Sequence, residues 1–151
     1  MSAAPEDEHH GLGHAVPIFR VRDLDAALEY YVRVLGFAVE FVDKGFAGVR
    51  RDRLTLFLCQ GDQSAPGAWA WTNVDDVERL HEELRSRGAR IRNPPTNYHW
   101  AYEMQVADLD GNVIRIGTEP KDAPTDREWL DADGVRWVRD AEDKWVRADG
   151  R

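Results

Sequence analysis

The sequence predicts an α+β fold: two tandem βαβββ units forming a curved mixed-sheet cup, followed by a C-terminal tail of short hairpins. Three observations predict it. Val16 to Asp25 (VPIFRVRDLD) and Trp69 to Glu78 (WAWTNVDDVE) open alike, each an apolar strand ending in Val-x-Asp and leading into an amphipathic helix. The spacing repeats as well, with Gly36 fifteen positions after Val21 and Gly88 fourteen after Val74, as one supersecondary element used twice requires. Finally, the strand segments alternate between an apolar face and a mixed one.

In the first unit, Val16 to Val21 is a strand. Leu24, Ala27, Leu28, Tyr31 and Leu35 recur at helical spacing, which predicts a helix over Leu24 to Leu35 with Asp23 as N-cap and Gly36 as stop. Three strands follow, Phe37 to Val42, Gly45 to Arg50 and Leu54 to Cys59, separated by turns at Asp43-Lys44-Gly45 and Arg51-Asp52-Arg53. In the second unit, Trp69 to Val74 is a strand, and Val77 to Ser86 is a helix carrying Val77, Leu80 and Leu84 and closed by Gly88. Ala89 to Arg92 is a short strand that Pro94-Pro95 breaks. Ala101 to Val106 is a strand, and Asp110-Gly111-Asn112 turns into the last one, Val113 to Gly117.

Alternation sorts the side chains. Leu54, Leu56 and Leu58 share one face, and Thr55, Phe57 and Cys59 the other. Ile114 and Ile116 oppose Val113, Arg115 and Gly117. Phe19 and Val21 oppose Ile18 and Arg20, and Ala70 and Val74 oppose Trp69, Trp71 and Asn73. The apolar face should carry the helices. The mixed face, with its aromatics, should line a ligand groove.

Composition bounds the rest. At 151 residues the chain is one domain of residues 14–118, with a polar leader (1–13) and an extension (120–151). A net charge of −8 argues against nucleic acid, which needs clustered Lys and Arg. No apolar run approaches the roughly 20 residues of a membrane helix, and Met1 to His10 has no apolar stretch of the secretory kind. A single cysteine, Cys59, fits a reducing cytoplasm. Its sequence neighbours give no sign of a reactive site, so it reads as a packed thiol. His9, His10 and His14 sit in an acidic leader that is a poor place to fix metal geometry.

In the tail, Trp129, Trp137 and Trp145 recur every eight residues. A helix would turn such positions about 80° apart at each step, and Asp133-Gly134 would break it. The spacing fits two short hairpins with the tryptophans along one edge, in a structural role.

The segments Ala15 to Phe37 (AVPIFRVRDLDAALEYYVRVLGF), Phe46 to Leu58 (FAGVRRDRLTLFL), Ala68 to Trp71 (AWAW) and His99 to Asn112 (HWAYEMQVADLDGN) together resemble the vicinal oxygen chelate superfamily, and within it the bleomycin resistance proteins. The resemblance covers about residues 14–118; relatives mostly end near the position of Glu119. In metal-using members, His, Glu or Gln ligands sit at four cup-facing positions that correspond here to Val16, Phe57, Trp69 and Arg115. None of these binds a divalent cation and Arg115 would repel one, which argues against the superfamily's Lewis-acid chemistries.

The resemblance therefore implies a non-enzymatic, cytoplasmic binding protein without metal or cofactor. It would be a homodimer that sequesters a bleomycin-type or other flat antibiotic in grooves at the subunit interface. Phe46 and Trp100 correspond to the stacking aromatics, and Phe41, Trp69 and Trp71 would line the same groove. Phe57, Tyr102, Glu103 and Arg115 complete the expected ligand-binding set, and Pro17 matches a hinge from which the first strand would cross to the partner. Glu40, Asp43, Asp62 and Glu103 are candidate carboxylates for a cationic ligand tail. Arg20 and Arg115 either pair with Glu103 or meet an acidic ligand. The alternatives are a metal-independent isomerase or hydrolase in the same cup, and a ligand-sensing protein.

Overall fold

The computed structural model describes residues 11–121, 128–131, 133–142 and 144–151; His9 and His10 lie outside them. Both units form in the expected order. The first comprises β1 (Ile18–Arg20), α1 (Leu24–Arg33), β2 (Ala38–Asp43), β3 (Phe46–Arg51) and β4 (Leu54–Cys59). The second comprises β5 (Trp69–Asn73), α2 (Val77–Ser86), β6 (Arg90–Asn97), β7 (Tyr102–Ala107) and β8 (Val113–Thr118). Each makes its own four-stranded sheet, ordered β1-β4-β3-β2 and β5-β8-β7-β6, with one parallel pair at the unit-opening strand and antiparallel pairs elsewhere.

The helices start by the same device. Asp23 accepts the Ala26 N–H at 3.1 Å and Asp76 the Arg79 N–H at 3.0 Å, each satisfying one of the orphan donors of a first turn. Gly36 and Gly88 then take φ of 77° and 82°, the left-handed conformation that lets the chain leave the helix without Cβ strain.

The apolar faces of both sheets share one core. Phe19, Val49, Leu56 and Leu58 of the first meet Met104, Val106, Ile114 and Ile116 of the second, with Ala27, Tyr31, Val77 and Leu84 of the helices between. Polar links sew the units together. Tyr30 donates to the Ala107 carbonyl at 2.8 Å, Tyr31 to Asp108 at 3.0 Å, and the Asn112 amide to the Arg20 carbonyl at 3.0 Å. Arg51 bridges to Glu83 at 2.7 Å. A cleft of about 750 Å³ opens on this helical side, lined by Leu35, Arg51, Glu83, Ile114 and Ile116 among others.

β6 corrects one expectation. It does not stop at Arg92 but runs to Asn97 through both prolines. It is an edge strand, and its pairing with β7 shifts register between Ile91 and Asn93 and again between Asn93 and Thr96. At an edge bulge a proline gives up no ladder hydrogen bond, so the pair is tolerated there.

The tail forms a three-stranded antiparallel sheet of β9 (Glu128–Leu130), β10 (Arg136–Arg139) and β11 (Trp145–Arg147), two hairpins in succession. Asp131 and Asp140 close its turns by accepting backbone N–H groups two and four residues on. Register sets Trp137 opposite Trp129, and Trp145 opposite Arg139.

Candidate functional site

Because the apolar faces turn to one core, the mixed faces are turned away from it. The register fixes what they carry. On the first sheet, Phe57 lies beside Ile18 and Gly48, and Phe46 beside Cys59 and Asp43. Phe41, Phe46 and Phe57 form one cluster with ring centroids 5.3–6.1 Å apart, the Phe41–Phe46 pair stacked. Gly48 makes room for it. A Cβ there would overlap the Phe41 ring, which lies across the bare backbone.

On the second sheet, Trp71 pairs with Arg115 and Arg115 with Gln105, while Glu103 pairs with Gly117. Glu103 is 1% exposed yet receives four hydrogen bonds. Its Oε1 accepts from Trp100 Nε1 at 2.7 Å and Arg115 Nη2 at 2.8 Å. Its Oε2 accepts from Trp71 Nε1 at 3.2 Å and Arg115 Nε at 3.3 Å. A buried carboxylate is tolerated only when paired and fully bonded, and here both requirements are met by side chains of the exposed surface. Gly117 is the space for it, since a Cβ there would stand 2.8 Å from the Glu103 Cβ. Above this base the rings are half-exposed: Trp69 49%, Trp71 51% and Trp100 50%.

Two further groups extend the wall. Tyr98 stacks on Trp100 at 4.5 Å and 8°, and the Arg92 guanidinium lies 4.6 Å from the Trp69 ring centre. His99 meets Trp100 edge-on at 4.7 Å and Trp145 at 5.6 Å, so the tail sheet abuts the rim beside Trp100.

The expected site residues thus divide. Phe41, Phe46 and Phe57 lie together on one face, and Trp69, Trp71, Trp100, Glu103 and Arg115 on the other. Tyr102 joins neither. One step out of phase with Glu103, it turns to the helical side, donates to Glu78 at 2.9 Å and lies under Lys121. Of the alternatives for the two arginines, Arg115 takes the pair with Glu103, whereas Arg20 makes no ion pair among the described residues. Glu40 pairs with Arg50 at 3.6 Å, and Asp43 accepts the Lys44 N–H at 2.8 Å. Val16 is half-buried just ahead of β1. Within one chain, then, Val16 leads into the sheet that holds Phe57, and Trp69 and Arg115 belong to the other. No group of His, Cys, Asp and Glu among the described residues could hold a metal ion.

Sequence reasoning missed Arg92, Tyr98 and Gly48. The first was legible as a cup-phase cation once β6 is continued through its prolines, and the second as part of the run Tyr98-His99-Trp100. Gly48 carried no signal beyond being a glycine inside a strand.

The sequence profile of the Glyoxalase/Bleomycin resistance protein/Dioxygenase superfamily matches residues 11–116. Among solved structures, the chain is similar to the bleomycin-binding protein of bleomycin-producing Streptomyces verticillus, solved with copper(II)-bleomycin. The two share 28% identity with a TM-score of 0.63 over 75% of this chain and 100% of that one. It is also similar to TnmS3, an antibiotic binding protein from Streptomyces sp. CB03234, at 27% identity and a TM-score of 0.60 over 75% and 100%. The bleomycin resistance determinant encoded on transposon Tn5, at 22% identity and a TM-score of 0.60 over 72% and 98%, shows the shared fold. No curated protein sequence matches the chain.

Proposed function

This chain belongs to the Glyoxalase/Bleomycin resistance protein/Dioxygenase superfamily, and from that membership and its two aromatic faces we propose that it sequesters a flat antibiotic between two copies of itself. The observation that carries the reading is the placement of the rings. Three phenylalanines on one sheet and three half-exposed tryptophans on the other sit on faces turned away from the chain's own core. Neither is a groove alone. Set against the opposite face of a second copy, each becomes one wall of a slot for a planar molecule, and a dimer holds two such slots. Aromatic pairs contribute on the order of 0.5–1.5 kcal/mol beyond burial, so several rings per slot suit tight binding without chemistry.

Two features support a dimer. β2 is exposed along its whole length, with Val39, Phe41 and Val42 showing 41–56% of their surface, and a bare apolar edge strand calls for a cover. Leu12 is 98% exposed in the segment before Pro17. β1 pairs with β4 of the same chain from the Pro17 carbonyl onward, so an exchange at Pro17 would involve the segment before it.

The metal-independent enzyme reading finds less support. The one buried carboxylate on these faces, Glu103, has both oxygens occupied by indole and guanidinium donors, so it offers no free base. No helix among the described residues is long and apolar enough to cross a membrane.

The test is a tryptophan-fluorescence titration with bleomycin and other flat antibiotics, run on the full chain and on Trp100→Ala, with the ligand recovered for mass analysis. Saturable quenching at one ligand per chain, weakened in the variant and with the ligand unaltered, is expected. Conversion of the ligand, or quenching that Trp100→Ala leaves unchanged, overturns the reading.

A further inference from the structure

Resting on the proposed slot between two copies, we infer that its ligand is a planar aromatic carrying an anionic oxygen group, such as a carboxylate, rather than one with a cationic tail. The charges on the aromatic faces are unequally engaged. Glu103 has both oxygens filled and its charge offset by Arg115. Glu40 is held by Arg50, and Asp43 is turned to its neighbour's N–H. The Glu103 and Glu40 carboxylates are thus charge-paired, whereas Asp62, without a hydrogen bond or ion pair among the described residues, lies in the loop after β4 rather than on either strand face.

The guanidiniums tell the opposite story. Arg92 is exposed, rests over the Trp69 ring and makes a hydrogen bond to the Gln105 side chain. No carboxylate pairs with it among the described residues. Arg20, half-buried on the other face beside Cys59, is likewise without an ion pair among them. A guanidinium carries five N–H donors in a fixed fork, and one stacked on an indole keeps donors for a planar carboxylate in the same layer. Because each slot takes one face from each copy, each would contain both an Arg92 and an Arg20. A ring lying in the slot would then have cations available from either wall.

The overall charge of −8 points the other way, favouring approach of cations from a distance. That field is screened within about 10 Å in ordinary salt, whereas a contact inside the slot is not, so the contact decides selectivity.

Three probes sharing one ring separate the possibilities: anthraquinone-2-carboxylate, its neutral carboxamide and the 2-aminomethyl derivative, titrated into the full chain by calorimetry. The carboxylate should bind about tenfold more tightly than the amide, as expected for one charge-assisted pair, and the amine most weakly. Arg92→Gln and Arg20→Gln should each weaken the carboxylate more than the amide and so shrink the carboxylate advantage. Binding of the amide with no preference for the carboxylate, or an advantage that survives both substitutions, overturns this inference and leaves sequestration standing. Failure of all three probes together with every flat antibiotic overturns both.

Discussion

Trp100 donates its indole N–H to Glu103 at 2.7 Å, which ties a half-exposed ring on the rim to a carboxylate buried beneath the sheet surface. Trp71 is tied to the same group. Large exposed rings otherwise sample several rotamers and lose that freedom when they grip a ligand; here most of the ordering is done beforehand. Glu103→Gln keeps the size of the side chain but removes the charge that Arg115 and both indoles point at. Since Arg115 is about one-third exposed, water moderates the loss. Stability should fall by about 2 kcal/mol, less than the cost of stranding a fully buried partner. Urea denaturation checks this, and flat-ligand affinity should fall with it. An unchanged midpoint would mean that Glu103 orders nothing.

Gly48 sets the position of Phe41. Gly48→Ala would push a methyl group into the ring, and since Phe41 is 41% exposed the ring can swing outward instead of straining the strand. The fold should therefore survive with a loss of about 1 kcal/mol, while the Phe41–Phe46 stack opens and ligand affinity drops several-fold. Binding that equals the parent's would show that the stack is not used.

Asn112 joins the two units by donating to the Arg20 carbonyl and to Asp108, and by accepting the Ala68 N–H. It is fully buried, so Asn112→Ala leaves several polar groups without partners and should cost about 3 kcal/mol. Burial outweighs the hydrogen bonds at Asp108 and holds its carboxyl above the ordinary value of 3.8. A raised acid binds its proton in the folded chain before the unfolded one. Its contribution to stability therefore falls as pH rises from 3.8 through the folded pKa and is constant above it. Across that interval the melting temperature of Asp108→Asn should fall less, or rise more, with pH than the parent's; parallel profiles would refute the assignment.

His99 should make docking of the tail sensitive to acid. Burial, and then the charge of Arg139, hold it below its ordinary value of 6.5. A depressed base stabilises the folded form above 6.5, and that contribution is lost as pH falls from there through the folded pKa. Limited proteolysis of the tail at about pH 5.5 should be faster, relative to about pH 7.5, in the parent than in His99→Gln. Equal ratios would detach His99 from the docking.

The repeated opening segments made the units readable because helix caps and stops are local: Asp23 and Gly36 act within a few residues of themselves. Alternation was equally informative for Phe57, Trp69 and Trp71, whose faces follow from strand phase alone; Phe41, just past a register shift in β2, came from the family resemblance. Tyr102 obeys the same rule: as the neighbour of Glu103 it faces the other way, so the two could not both line the cup. Alternation failed at β6, which outlasts its prolines because pairing at an edge strand can slip. What strand phase could not give is the relation between the sheets. Whether two mixed faces meet or turn apart depends on Tyr31, Asp108 and Asn112, which touch across 77 and 92 residues of chain.

The duplicated units have ended with unlike surfaces: one of hydrocarbon rings over bare backbone, the other of indoles whose N–H groups are fastened to a buried acid beside two guanidiniums. A sheet-like molecule held between such surfaces would not be free to turn over. Its greasy side and its polar edge each have one home, so the slot would distinguish the two flat sides of a ligand, and mirror-related substitution patterns on one ring would bind with different strengths.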